Sequence, residues 1–170
     1  MSDDRLNELL NEIKRISPLP DDEQLSEELI DRYYDIFEQI EKYNNPSVIP
    51  ILVNSLGIGE GYGVYQSVIS YLEHFDTEDL LPHLFLATKN GQKGARKWGA
   101  YLLGICRDNR ALPSLLSLLS DPEEDVRMFS IIALEMIGDS SVAPQLQYTK
   151  KNDPSIKVRK YAESALEELN

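Results

Sequence analysis

Few residues in this 170-residue chain are of the types, at the spacings, that chemistry requires. The first candidate is the run Gly57-Ile58-Gly59-Glu60-Gly61-Tyr62-Gly63. Glycine-rich loops hold phosphate when their backbone N–H groups converge on the anion at a helix N-terminus. Here the glycines alternate instead of following G-x-G-x-x-G, no strand precedes them, no Lys-Ser/Thr pair follows, and Glu60 repels an anion. The run reads as a flexible turn between two helices, or as a mobile loop that touches a partner. His74 and His83 are nine residues apart on different expected helices, without the i,i+4 spacing or neighbouring carboxylates of a metal site. Cys106 is the single cysteine, so neither a disulfide framework nor a Cys-based zinc site is available. It falls on a helix face aligned with Ile137 and Leu169 and reads as a buried structural thiol, with no base placed to activate it. The sequence therefore sets the expectation of no catalytic residue, no cofactor and no metal.

Charge and aromatic residues point elsewhere. The chain has 29 acids and 17 bases, a net charge of −12. Residues 1–43 contribute −8, residues 44–91 contribute −4, and residues 92–170 are neutral. This balance argues against nucleic acid or an anionic membrane surface as partner. Much of the acidity falls on amphipathic helices, where carboxylates at three- and four-residue spacing form a solvated face. Glu27, Glu28, Asp31 and Asp35 are the candidate docking residues on that face for a basic partner. Nine tyrosines is a high count, and Tyr33, Tyr34, Tyr43, Tyr62, Tyr65 and Tyr71 all lie in the acidic half. Those left exposed there would act as aromatic anchors within an acidic rim.

The elements that must position these residues are helices. Hydrophobic residues at 42% and charged residues at 27% describe a globular chain, and no uncharged apolar run approaches the roughly 18 residues of a membrane span. The first residues, MSDDRLNE, lack the layout of a signal peptide, which sets a cytoplasmic expectation. Apolar residues follow helical periodicity nearly throughout. Residues 3–16 place Leu6, Leu9, Leu10, Ile13 and Ile16 on one face, SPLPDD breaks the pattern, and residues 23–43 form a second helix. Beyond them Pro50, Pro82, Pro113 and Pro144 recur at spacings of 32, 31 and 31. Each precedes an apolar stripe, and the last three are followed by Arg96, Arg127 and Arg159. Six residues before each arginine stands Asn90, Asp121 or Asp153. Each unit thus reads as a first helix, a turn and a second helix, as in ALPSLLSLL, SDPEED and VRMFSIIALEMIG.

The segment RALPSLLSLLSDPEEDVRMFSIIALEMIGD resembles a HEAT repeat, in particular the short PBS-lyase HEAT-like type. The resemblance extends over residues 45–170 in four units, about 45–76, 77–108, 109–139 and 140–170, with the first degenerate. It implies an all-α, right-handed α-α superhelix, a solenoid of four helix pairs behind an acidic two-helix N-terminal cap at 1–44. It also implies a structural ladder between units formed by Asn90, Arg96, Asp121, Arg127, Asp153 and Arg159. Tyr65 stands at the arginine position of the first unit, which leaves that rung in doubt. In such an array the second helices line the concave surface, which would expose Tyr65, Ile69, Glu73, Lys97, Met128 and Ile131 to a partner, beside Tyr62. The mixed signs of that surface do not suit a phosphate backbone. Small acidic proteins of this type resemble bacterial immunity or inhibitor proteins, which implies non-catalytic capture of a basic toxin-like domain. A scaffold or adaptor subunit, or a lyase-like accessory protein, are the alternatives. The oligomeric state is open at this stage.

Overall fold

A computed structural model describes residues 3–169. The described residues form ten α-helices and no strand. α1 (Asp3–Ile16) and α2 (Glu27–Ile40) form the N-terminal pair. α1 buries Leu6, Leu9, Leu10 and Ile13, and α2 buries Ile30, Tyr33, Ile36, Phe37 and Ile40. The start of α2 is fixed by Ser26, whose hydroxyl accepts from the Leu29 N–H at 3.2 Å. Glu27 and Glu28 in its first turn complement the helix dipole.

Four further pairs follow: α3 (Ile49–Ser55) with α4 (Val64–Leu72), α5 (Thr77–Ala87) with α6 (Lys93–Cys106), α7 (Leu112–Leu118) with α8 (Glu124–Ile137), and α9 (Ala143–Asn152) with α10 (Ile156–Glu168). α6, α8 and α10 stack side by side as one layer, while α3 packs on α1, α5 and α6. α6 and α8 approach closely because Gly104 has no side chain: a Cβ there would stand 2.6 Å from the Ala133 Cα.

A short 3-10 turn leads into α3, α7 and α9. Each turn is capped by an Asx side chain that accepts from the backbone two residues on: Asn45 from Ser47, Asp108 from Arg110 and Asp139 from Ser141, at 2.8–3.0 Å. Pro50, Pro113 and Pro144 then occupy the second position of their helices, where a missing N–H costs nothing. Pro82 departs from this expectation. The side chain of Asp76 makes no capping bond, the 3-10 turn is absent, and α5 begins at Thr77, so Pro82 lies inside the helix.

The arginines at the start of the second helices tie one unit to the next. Arg96 grips Asp121 with two parallel bonds, Nε to Oδ2 at 2.7 Å and Nη2 to Oδ1 at 2.9 Å. Arg127 grips Asp153 in the same way, at 2.8 and 3.1 Å. In each case Nη1 turns back to two carbonyls of its own turn, those of Asn90 and Gly91 for Arg96 and those of Asp121 and Pro122 for Arg127. The carboxylates also accept from Glu123 N and Ser155 N, so they start the helices that they tie. Asn90 takes no part through its side chain in the Arg96 rung. Its amide donates to Asn54 Oδ1 at 2.8 Å, linking the second pair back to the first. Arg159 keeps the two carbonyl bonds, to Asp153 and Pro154, but holds no carboxylate among the described residues.

Candidate protein-interaction surface

The acidic residues of α2 lie on the side opposite its core stripe. Glu27, Glu28, Asp31 and Asp35 are all exposed, and none makes an ion pair among the described residues. Arg32 is the one basic side chain on the helix. The opposite face of α2 is held by its buried stripe and by hydrogen bonds of Gln39 with Arg5 and of Tyr33 with Ser55.

The glycine run 57–63 corrects the expectation of a flexible turn. Bonds from three directions fix it. Asp22, in the segment before α2, accepts from Glu60 N at 2.9 Å and Gly61 N at 3.0 Å, and its carbonyl accepts from the Tyr62 hydroxyl at 3.1 Å. From α6, Lys97 Nζ donates to the carbonyls of Ile58 and Gly59 and to Glu60 Oε1, at 2.7, 3.1 and 3.0 Å. Trp98 Nε1 donates to the Gly57 carbonyl at 2.9 Å, and the Tyr65 hydroxyl accepts from Gly57 N at 3.2 Å. Glycine is required where the chain crowds its neighbours: a Cβ on Gly57 would stand 2.7 Å from the Pro20 carbonyl oxygen. Tyr62 adopts φ +50°, a left-handed conformation rare for an aromatic residue, and its ring is 68% exposed. Of the six tyrosines in the acidic half it alone is exposed; Tyr33 and Tyr65 are buried and Tyr34, Tyr43 and Tyr71 half-buried. Its bond to Asp22 places it beside the segment that leads into the acidic face.

Tyr65, Ile69, Lys97, Met128 and Ile131 do not lie on an open surface. All five are buried, at 0, 1, 2, 6 and 0% exposure. The second helices are sandwiched between their neighbours in the layer and the first helices, so most of each circumference is covered. Tyr65 meets Trp98 edge to face at 6.0 Å, and the Lys97 ammonium rests 4.3 Å from the Trp98 ring and 4.5 Å from the Phe129 ring. Lys97 is thus a structural cation, neutralised by Glu60 and two carbonyls. Glu73 is exposed at the end of α4. What the layer does leave half-exposed is an apolar set that sequence reasoning missed: Tyr101 and Ile105 on α6, with Phe129, Ile132 and Met136 on α8. Their i, i+3 and i+4 spacing carries the signal, but it is the same signal that core residues give.

The remaining polar candidates are engaged locally. His74 Nδ1 lies 2.7 Å from the Ser70 carbonyl. Among the described residues no group of three His, Cys, Asp or Glu side chains is placed to hold a metal. Cys106 is half-buried instead of fully buried, and burial raises its thiol pKa, which disfavours the nucleophilic thiolate. A groove of about 630 Å³ between α7 and α9 is lined by Leu116, Leu119, Pro122, Pro144 and Tyr148, with the Arg127–Asp153 pair at its base.

Residues 86–167 match the family model of HEAT repeats. Over that segment the chain belongs to the HEAT-repeat family. The match spans α6 to α9, most of α10 and only the last two residues of α5, and it includes the whole arginine ladder. No curated protein matches the chain. The acidic α2 and the fixed glycine loop lie N-terminal to the matched HEAT segment. They are the part of this HEAT-repeat protein in which its own character is concentrated.

Proposed function

We propose that this HEAT-repeat protein is a non-catalytic binding module that captures a basic protein through its N-terminal acidic face. HEAT repeats are commonly protein-interaction modules, which supports a binding or scaffold role. The observation that carries the finer reading is the row Glu27, Glu28, Asp31 and Asp35, exposed, free of internal ion pairs and held on a helix whose opposite face is core. A fixed row of carboxylates attracts a basic surface from a distance and speeds its capture, and costs no ordering when the complex forms. Tyr62 completes the surface as an exposed aromatic anchor on a pinned loop, and Glu73 adds a further carboxylate on a helix that packs on α2. In its most specific form the reading is cytoplasmic inhibition of a basic, toxin-like domain, for which charge is the support.

Paired baits test it: the wild-type chain and a variant with Glu27, Glu28, Asp31 and Asp35 changed to Lys, each used to capture proteins from its source cells. The expected result is one basic protein retained by the wild type, absent from the variant, and released as salt rises. Equal retention by both baits rejects the α2 face as the docking site.

A further inference from the structure

The ladder has two closed rungs and one open one. In the closed rungs the guanidinium is oriented by the same device, Nη1 held by two carbonyls of its own turn, and the edge formed by Nε and Nη2 receives a carboxylate in a parallel fork. Arg159 is oriented by that device too, with Nη1 2.6 Å from the Asp153 carbonyl and 3.4 Å from that of Pro154. Its Nε and Nη2 have no partner among the described residues, and the side chain is only half-buried. We infer that Arg159 is a carboxylate-binding site, the docking point for an acidic loop of a second protein. The ligand chemistry follows from the two rungs that precede it: an aspartate side chain accepting two parallel N–H bonds. A pre-oriented fork gains this contact without the rotamer cost that a free arginine would meet.

Its surroundings select an acidic loop over another stacked repeat. On the helix face that α6 uses to receive α8, α10 carries Lys160, Glu163, Ser164 and Glu167, all exposed and polar, so this face of α10 offers no apolar seam. Ile156, 64% exposed, stands one turn before Arg159 and supplies an apolar contact beside the fork. Lys157 and Lys160 flank it in the sequence, and residues 140–170 hold five bases and four acids. The pair is weakly positive in a chain of net −12, and it is far along the array from α2. The inference does not rest on the reading of the acidic face.

The side-chain Nε–Hε resonances of the full-length chain provide the test, with the capped peptides acetyl-Ser-Asp-Pro-amide and acetyl-Ser-Asn-Pro-amide as probes. The first copies the turn that closes the Arg96 rung at residues 120–122. The Arg159 resonance should shift saturably with the aspartate peptide, and the asparagine peptide should bind on the order of tenfold more weakly. Arg32 and Arg107, exposed and without ion pairs among the described residues, are the internal controls. Arg159→Lys keeps the charge and loses the fork; the aspartate peptide should then no longer shift the backbone amide resonances around residue 159 that it shifts in the wild type, while the remaining spectrum is retained. An Arg159 response no larger than that of Arg32 and Arg107 overturns the site. Arg159-dependent self-association on sedimentation would overturn the assignment of its occupant to a second protein.

Discussion

Lys97 shows how far a side chain's type can mislead about its role. A lysine on a second helix of an array looks like a surface cation, yet this one is 2% exposed and ties the glycine run to the Trp98 and Phe129 rings. Lys97→Met should remove three acceptors' worth of bonding and cost about 2–4 kcal/mol, read from urea unfolding with the single Trp98 as fluorophore. Arg127→Gln should cost about 3–5 kcal/mol, because it strands the Asp153 carboxylate, whose side chain is only 4% exposed. Tyr43 offers the opposite case. Its hydroxyl is buried without a partner among the described residues, so Tyr43→Phe should leave stability unchanged or raise it, whereas Tyr33→Phe breaks the 2.7 Å bond to Ser55 and should lower it. The ladder residues were legible because arginine and aspartate recur in register. The burial of Tyr65, Ile69, Met128 and Ile131 was not, because one sequence period serves both a helix face turned to a partner and a face turned to the next helix.

The helices themselves declared their boundaries through caps and breakers. The first stripe places α1 at residues 3–16, as found, whereas α2 runs over Glu27–Ile40 inside the broader expected 23–43 because Ser26 caps it and starts it later. The Asx residues Asn45, Asp108 and Asp139 form a second recurring marker that sequence reading passed over, since an Asx before a proline-led helix also suits an ordinary loop. The fixed glycine run was illegible for a different reason. Its bonds come from Asp22, 38 and 39 residues away, and from Lys97, and no local pattern announces contacts of that range. Close approach between elements is equally testable. Gly104→Ala places a methyl against Ala133 and should force α6 from α8, lowering stability by about 1–3 kcal/mol in thermal or chemical unfolding.

At the scale of the molecule, net −12 resolves into an acidic N-terminal half and a neutral remainder whose last pair is weakly positive. Burial holds three tyrosines of the acidic half neutral. Burial raises the Tyr65 and Tyr71 hydroxyls from the ordinary value of 10.0 to about 12, and pushes Tyr33 up further. Raised pKa values favour the neutral form in the folded state, so this stabilisation is complete below pH 10 and is lost as pH rises toward 12. Tyrosinate absorbance from Tyr33, Tyr65 and Tyr71 should therefore appear only as helicity collapses. The central claim, capture through α2, is tested most directly by the association rate of the purified partner with the wild-type chain and with the variant in which Glu27, Glu28, Asp31 and Asp35 are changed to Lys, at low and at physiological salt. The account predicts association at least about tenfold slower for the variant at low salt, with the difference narrowing as salt increases. Equal rates for the two proteins at both salt concentrations would contradict it.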